Sequence, residues 1–348
     1  MRFLKKHKTY AKRGKIKTSF NLPETMKIAH FELFSPTALA PMAGLSDNPM
    51  RRLCRQFGAG LTVGEMISGN PTLQHTRKTK NRIDFTDEKS PIVVQIVGTE
   101  PEQIAQSAVY YQSLGVDIID INMGCPAKKV CKREAGSALM KNEALVAEIL
   151  STVVQAVAIP VTLKTRLGWD DLHLNVVKIA EIAEKSGISA IAIHGRSRTQ
   201  MFQGQAQYDL ISEVKKSISI PVWVNGDIDS PQKAAQVLEE TRADGVMIGR
   251  AAIGRPWLFA EINHYFSGTL KPIDFLTKKQ AILQHLNMLY DFYGEEHGVK
   301  IARKHIAKYI ANLENNELAR QHINQINMSS VQYECVAEFL SQCQKTRE

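Results

Sequence analysis

The segment "INMGCPAKKVCKREAGSALM", residues 121–140, places Cys125 at the end of an apolar run and follows it with a proline and a cluster of lysines. A thiol so placed has three available chemistries: a reactive group, a metal ligand, or half of a disulfide. The five cysteines (54, 125, 131, 335 and 343) are odd in number, scattered and without C-x-x-C spacing. That pattern fits a reducing cytosol and argues against a disulfide framework or a structural zinc site. Lys164, in "VTLKTRL", is the second group of interest. It can be read as a Schiff-base nucleophile, as a partner for a ligand's negative charge, or as an edge lysine that snorkels to water. Strand alternation puts Leu163 and Lys164 on opposite faces, so the lysine can face inward with Thr162 and Arg166.

Eight short β-rich apolar runs would position these groups. They occupy residues 37–44, 61–68, 91–98, 116–125, 160–168, 190–198, 221–228 and 244–251. Stretches with helical periodicity, such as "PEQIAQSAVYYQSLG" and "NVVKIAEIAEKSG", lie between most of them. Near-continuous apolar strands alternating with helices imply a parallel sheet covered by helices. Eight such units, with no G-x-G-x-x-G after the first strand, predict a closed (β/α)8 TIM barrel of the α/β class rather than an open dinucleotide-binding sheet. After Pro256 only helical segments follow. The expected organisation is therefore a basic extension over 1–25, a barrel over 26–264 and a small C-terminal helical domain over 265–348.

In such barrels the active site forms at the C-terminal strand ends. Those ends carry Met42 and Gly44, Glu65, Gln95, Asn122 with Cys125, Lys164 with Arg166, His194 with Arg196, Asn225 with Asp227, and Gly249 with Arg250. One polar strand end is usually a cap or a solvated edge; so many together read as a ligand mouth. No acidic cluster accompanies the histidine, so no metal centre is expected. The last two loops, "NGDIDSP" and "IGRAAIGRP", offer Gly226 and Gly249 for backbone approach and Arg250 as a forked cation, the makings of a phosphate cradle.

The 348-residue chain has a formal net charge of +9, of which residues 1–25 hold +7 through eight Lys/Arg against one glutamate. Basicity is thus mainly a property of the extension and is poor support for nucleic-acid binding by the body. The extension lacks the apolar core of a secretory signal, and no apolar run reaches membrane-spanning length, so a cytoplasmic, non-membrane protein is expected.

With these residues assembled, the chain resembles the tRNA-dihydrouridine synthases, most closely the bacterial B-type subgroup. The resemblance is carried by "LAPMAGLSDNPMRRLCRQFGAGLTVGEM", "PIVVQIVG", "DINMGCPAKKV" with "GSALM", "VTLKTRLGW", "IHGRSR", "NGDI" and "MIGRAAIGRPW", in order and over nearly the whole chain. It implies a flavin barrel that reduces uridine in tRNA, with FMN as cofactor and NADPH or NADH as electron donor. By position, Pro41, Met42 and Ala43 would hold FMN after the first strand, with Gln95, Lys164 and His194 at its ring system. Asn225, Gly226 and Asp227 would follow the ribityl and phosphate side, and Gly249 and Arg250 would close on the phosphate. Asn122 would contact the uracil, and Cys125 would be the acid. Cys131 falls outside the family pattern and is expected to be a bystander.

Reduction of the uracil C5=C6 bond needs a proton at C5. A serine hydroxyl is too weak an acid, and an aspartate is already ionised, whereas a thiol of pKa about 8.5 is protonated at neutral pH yet able to donate. Lys128 and Lys129 would tend to lower that pKa, although holding RNA phosphates over the mouth is their better role. In "GVKIARKHIAKYI", Lys300, Arg303, Lys304 and Lys308 gather on one helical face as a second phosphate contact, and Arg196 is a further candidate for substrate binding. A monomer with no metal and tRNA as partner is expected. The rival readings are a flavin barrel acting on free pyrimidines, a Schiff-base aldolase using Lys164, and an RNA-binding regulator.

Overall fold

The computed structural model describes residues 26–269 and 271–345. The basic extension expected over residues 1–25 lies outside them. Eight parallel strands form the barrel: Thr37–Leu39, a second strand in two pieces (Leu61–Thr62 and Ile67–Ser68), Val93–Val97, Ile118–Asn122, Val161–Arg166, Ala190–His194, Val222–Asn225 and Gly245–Ile248. Each pairs with its neighbours, and the first strand pairs with the last at Val246↔Thr37. The broken second strand closes the ring. Its first piece pairs with the first strand, its second piece with the third, and an isolated bridge joins Val63 to Val93. Every residue of the fourth, fifth and sixth strands is buried, the signature of a sheet covered on both faces.

A hairpin of Met26–Ile28 and Phe31–Leu33 plugs the N-terminal end of the barrel, where Met26, Ile28 and Leu33 share a core with Leu61, Val93, Ile118 and Trp223. The opposite end is left to polar side chains and to loops. One of them carries a second hairpin, Gly168–Asp170 with His173–Leu174, not anticipated in the sequence.

Helices follow the last strand. The expected boundary at 264/265 falls within the helix Leu258–Phe266, and the chain resumes helix at Phe275–Tyr293, Glu295–Tyr309, Asn316–Ile323 and Ser329–Lys345. This helical domain shares one apolar core with the barrel: Leu53 and Trp257 pack with Ile282, Leu286, Ile306 and Tyr309. Gly254 sets the approach. Its φ is +79°, and a Cβ there would lie 2.7 Å from the backbone of Lys308. Gly254→Ala is therefore expected to cost about 2–4 kcal/mol, from a left-handed φ plus backbone overlap. A fall in melting temperature of about 3–5 °C should follow; an unchanged melt would mean that the contact yields freely.

Candidate active site

The strand ends enclose a cavity of about 840 Å³, within the range of small-molecule and cofactor sites. Pro41, Met42, Ala43, Gln95, Asn122 and Cys125 line one part of it. Lys164, Arg166, His194, Asn225, Gly226 and Asp227 line another, with Gly249 and Arg250 beside them. The structure thus gathers every residue expected at FMN, together with Asn122 and Cys125, around one space.

A chain of side-chain hydrogen bonds runs beneath this floor. Asp120, buried on the fourth strand, accepts from Thr162 Oγ1 and from Gln95 Nε2, each at 2.6 Å. Gln95 Oε1 accepts from Asn122 Nδ2 at 2.7 Å. Asn122 Oδ1 in turn accepts from the backbone N–H groups of Gly124 (3.2 Å) and Cys125 (3.0 Å). A carboxylate at one end and backbone donors at the other fix both amides, and both residues line the cavity. Asp120's part was not legible beforehand, because a carboxylate inside an apolar strand shows neither its partners nor its depth.

Lys164 is 8% exposed and donates to Asn225 Oδ1 at 3.1 Å, while Asn225 Nδ2 donates to the carbonyl of Met247. Among the described residues it has no ion-pair partner within salt-bridge distance. Burial first, and then the charge of Arg166, lower its pKa to about 8, with Asp120 opposing. His194 is held neutral by burial and by the cations Arg166, Lys164, Arg196 and Arg250. Its Nε2 lies 3.3 Å from Arg196 Nη1, which can only donate, so the ring proton sits on Nδ1.

Cys125 is half-buried, and its loop is pinned by Ser137 Oγ donating to its carbonyl at 2.9 Å. Burial raises the thiol pKa; the backbone N–H of Ala127 and the charge of Arg166 pull the other way without overcoming it. The cation acting on the thiol is therefore Arg166 rather than the neighbouring lysines. Arg166 is buried, donates to the carbonyls of Gly124 (2.7 Å), Ser197 (3.0 Å) and Met201 (2.8 Å), and faces the ring of Phe202 at 5.4 Å. Phe202, half exposed at the rim, also stands under Arg250 at 5.1 Å. The one signal for it was an aromatic residue inside the polar loop "RTQMFQGQ".

Arg196 does not reach outward as a substrate contact would. It is 1% exposed and donates to Asp227 and to the carbonyls of Gln203 and Gly204. Its work is to hold Asp227, where burial is outweighed by Arg196, the N–H of Ala206 and Arg250, leaving the carboxyl below its usual range. Arg250 reaches the other oxygen at 3.2 Å. The basic helix face also differs from expectation. Arg303 donates to the carbonyl of Ile326 and to Asn327, and Lys304 donates to the carbonyl of Gly44. Lys300 is exposed and paired with Glu296 at 2.6 Å; Lys308 and Lys128 are exposed. A lysine stripe read from spacing cannot show that another loop arrives at one of its members.

Fold and site together define a (β/α)8-barrel enzyme with a cation- and amide-lined mouth. The chain belongs to the dihydrouridine synthase family: the family model described as "Dihydrouridine synthase (Dus)" matches residues 38–346. It is 48% identical over 321 residues to the tRNA-dihydrouridine synthase B of Pseudomonas aeruginosa, covering 92% of this chain and 97% of that one. It is 53% identical over 286 residues to the protein of the same name from Xanthomonas axonopodis pv. citri, covering 82% and 86%. Among solved structures it is similar to a 2-naphthoyl-CoA reductase in complex with 2-naphthoyl-CoA, with a TM-score of 0.54 and 14% identity over 72% of this chain and 52% of that chain. That likeness is one of fold.

Proposed function

We propose that the protein is an FMN-dependent enzyme that reduces specific uridines of tRNA to 5,6-dihydrouridine, with NADPH or NADH as electron source and Cys125 as the proton donor to C5. The carrying observation is a half-buried thiol, kept protonated by burial, on the wall of a cavity that Gln95, Asn122 and the Lys164 ammonium also line. Relatives named as tRNA-dihydrouridine synthases support the same substrate.

The residues fit FMN. Lys164 is a buried cation with no carboxylate in salt-bridge contact among the described residues, suited to an electron-rich ring edge, and Gln95 and His194 line the same cavity. Gly226 (φ +121°) leaves room where a Cβ would meet the His194 ring at 3.0 Å and Ala206 at 2.9 Å. Asn225, Asp227, Gly249 and Arg250 continue that wall toward solvent, with Arg250 as the phosphate ligand. Bound and reduced, FMN would supply the hydride that reaches uracil C6. Asn122 orients the uracil through its free N–H. Arg166 favours the negative charge that builds on the ring's carbonyl oxygen. Cys125 Sγ then gives its proton to C5 and is reprotonated from solvent. Residues 26–264 act as the catalytic barrel and 265–348 as the RNA-docking part, with Lys128, Lys300 and Lys308 toward phosphates. The enzyme works as a cytoplasmic monomer.

Gly226→Ala should weaken FMN binding by about tenfold or more, because the new methyl group displaces His194 or Ala206; fluorescence titration of FMN would read it. The test of the whole proposal is nucleoside mass spectrometry of dihydrouridine-free tRNA incubated with the protein and NADPH. Dihydrouridine at a defined position supports it. A yellow protein that reduces free pyrimidines and leaves tRNA untouched would replace it with the rival flavin-barrel reading.

A further inference from the structure

The loop between the first strand and the helix Asn48–Gln56 has two sides. Pro41, Met42, Ala43 and Leu45 face the cavity. The other side meets the helical domain. Tyr293, the last residue of the helix Phe275–Tyr293, donates its hydroxyl to Asp47 Oδ2 at 2.9 Å. Lys304, on the helix Glu295–Tyr309, donates its ammonium to the carbonyl of Gly44. Asp47 is 3% exposed, and its other oxygen caps the helix Asn48–Gln56 through the N–H of Met50 at 3.1 Å. Gly44 has φ +73°, and its N–H is held by Glu65 Oε2 at 2.8 Å.

The barrel holds the loop as well: the N–H of Ala40 donates to the carbonyl of Ile248 at 2.8 Å, and Arg51 Nη1 donates to the carbonyl of Ser46 at 2.7 Å. Within it, Leu45 N–H and Ser46 N–H donate to the Met42 carbonyl (2.9 and 3.0 Å), and Met42 N–H donates to Ser46 Oγ (2.8 Å). These bonds make the turn rigid in itself without saying where it stands over the cavity. Four side-chain contacts from outside do that: Glu65 to the N–H of Gly44, Arg51 to the carbonyl of Ser46, Tyr293 to Asp47 and Lys304 to the carbonyl of Gly44. Half of them come from the helical domain.

We infer that Tyr293 and Lys304 are positioning residues for the cofactor loop, so that the helical domain braces the wall of the active site from behind as well as meeting RNA. The cofactor part of this inference rests on the FMN reading above; the bracing of the loop does not. It also changes the role of Lys304, which is exposed in one row with Lys300 and Lys308 yet donates to the barrel loop.

The test compares Lys304→Ala, Lys304→Arg and Tyr293→Phe with Lys300→Ala in the full-length protein. Hydrogen exchange of the loop 40–47, read by mass spectrometry without any ligand, is the first measurement. The hydrogen-bonded amides of Met42, Gly44, Leu45 and Ser46 are its reporters. Lys304→Ala and Tyr293→Phe are expected to speed their exchange about fivefold or more, Lys304→Arg to restore most of the protection, and Lys300→Ala to leave it unchanged. The second measurement is FMN affinity in the absence of RNA, expected to weaken about tenfold in Lys304→Ala and not in Lys300→Ala.

Wild-type exchange in Lys304→Ala and Tyr293→Phe would overturn the inference. So would a Lys304→Ala defect confined to the KM for tRNA, which would make Lys304 one more phosphate contact. Should Lys304→Ala fail to fold, Tyr293→Phe, which removes a single hydroxyl, decides by the same exchange readout. A wild-type protein that binds no FMN would end the flavin reading, while the exchange comparison would still decide whether the helical domain braces the loop.

Discussion

Cys125→Ala should lower the rate of dihydrouridine formation by about a hundred- to ten-thousandfold, the usual worth of a positioned general acid, while FMN binding stays within about threefold of wild type. Those two effects should separate because the thiol takes no part in the Lys164–Asn225 bond on the cavity wall. Burial keeps the thiol pKa above the ordinary thiol range, so at neutral pH the proton is present when the hydride arrives. Cys125→Ser should recover little. It preserves the shape and the loop bonds of Gly124 and Ser137, but its hydroxyl is too weak an acid to give up the proton in step. Single-turnover reaction of pre-reduced enzyme with tRNA reads the chemical step directly, and a Cys125→Ala rate within a few-fold of wild type would assign the proton to another donor. Cys131→Ala is the matching control. Its sulfur lies 3.6 Å from both the Cys125 carbonyl and Ser137 Oγ, a weak brace whose loss should change the rate about threefold at most.

Periodicity carried the barrel because its strands are almost wholly buried on both faces and therefore read as near-continuous apolar runs. The same burial hid the break in the second strand: in "LTVGEMIS" the pairing passes from one neighbour to the other at Val63, which leaves no mark on composition. Knowing that polar residues sit at C-terminal strand ends was enough to bring twelve or so side chains to one mouth. It could not say which of them work inward. Arg196 follows His194 by two residues and so shares its face of the strand, yet its length carries the guanidinium to Asp227 and two loop carbonyls. Arg303 and Lys304 belong to a basic helix face by spacing alone, and each turns out to serve a segment remote in sequence. Partners that distant arise from tertiary packing, and local pattern is blind to them. Asp120 is the sharpest case: it anchors the hydrogen-bond chain that ends on Cys125, and the sequence shows only an acidic residue in a strand.

Lys164→Met should move function and stability in opposite directions. In the folded protein without ligand, burial and Arg166 hold the Lys164 pKa near 8, well below its usual value. Below about pH 8 both folded and unfolded chains carry the proton there, and the folded state bears the full cost of a buried cation. As the pH rises from about 8 toward the unfolded pKa, the folded protein releases the proton first, the unfolded chain binds more protons, and this group's contribution to stability increases. A ligand that needs the cation follows the reverse course. FMN affinity should be flat up to about pH 8 and then fall by as much as tenfold per pH unit, before the Cys125 thiol ionises. Lys164→Met should weaken FMN binding at least about tenfold at neutral pH and flatten that alkaline slope, while the melting temperature of the ligand-free protein stays at or above that of wild type. Fluorescence titrations and thermal melts across about pH 7 to 9.5 would decide it. A slope that persists in the methionine variant would place the titration on another group. A variant that binds as wild type but melts far lower would mean that Lys164 supports the barrel through Asn225 and has no part in holding the cofactor.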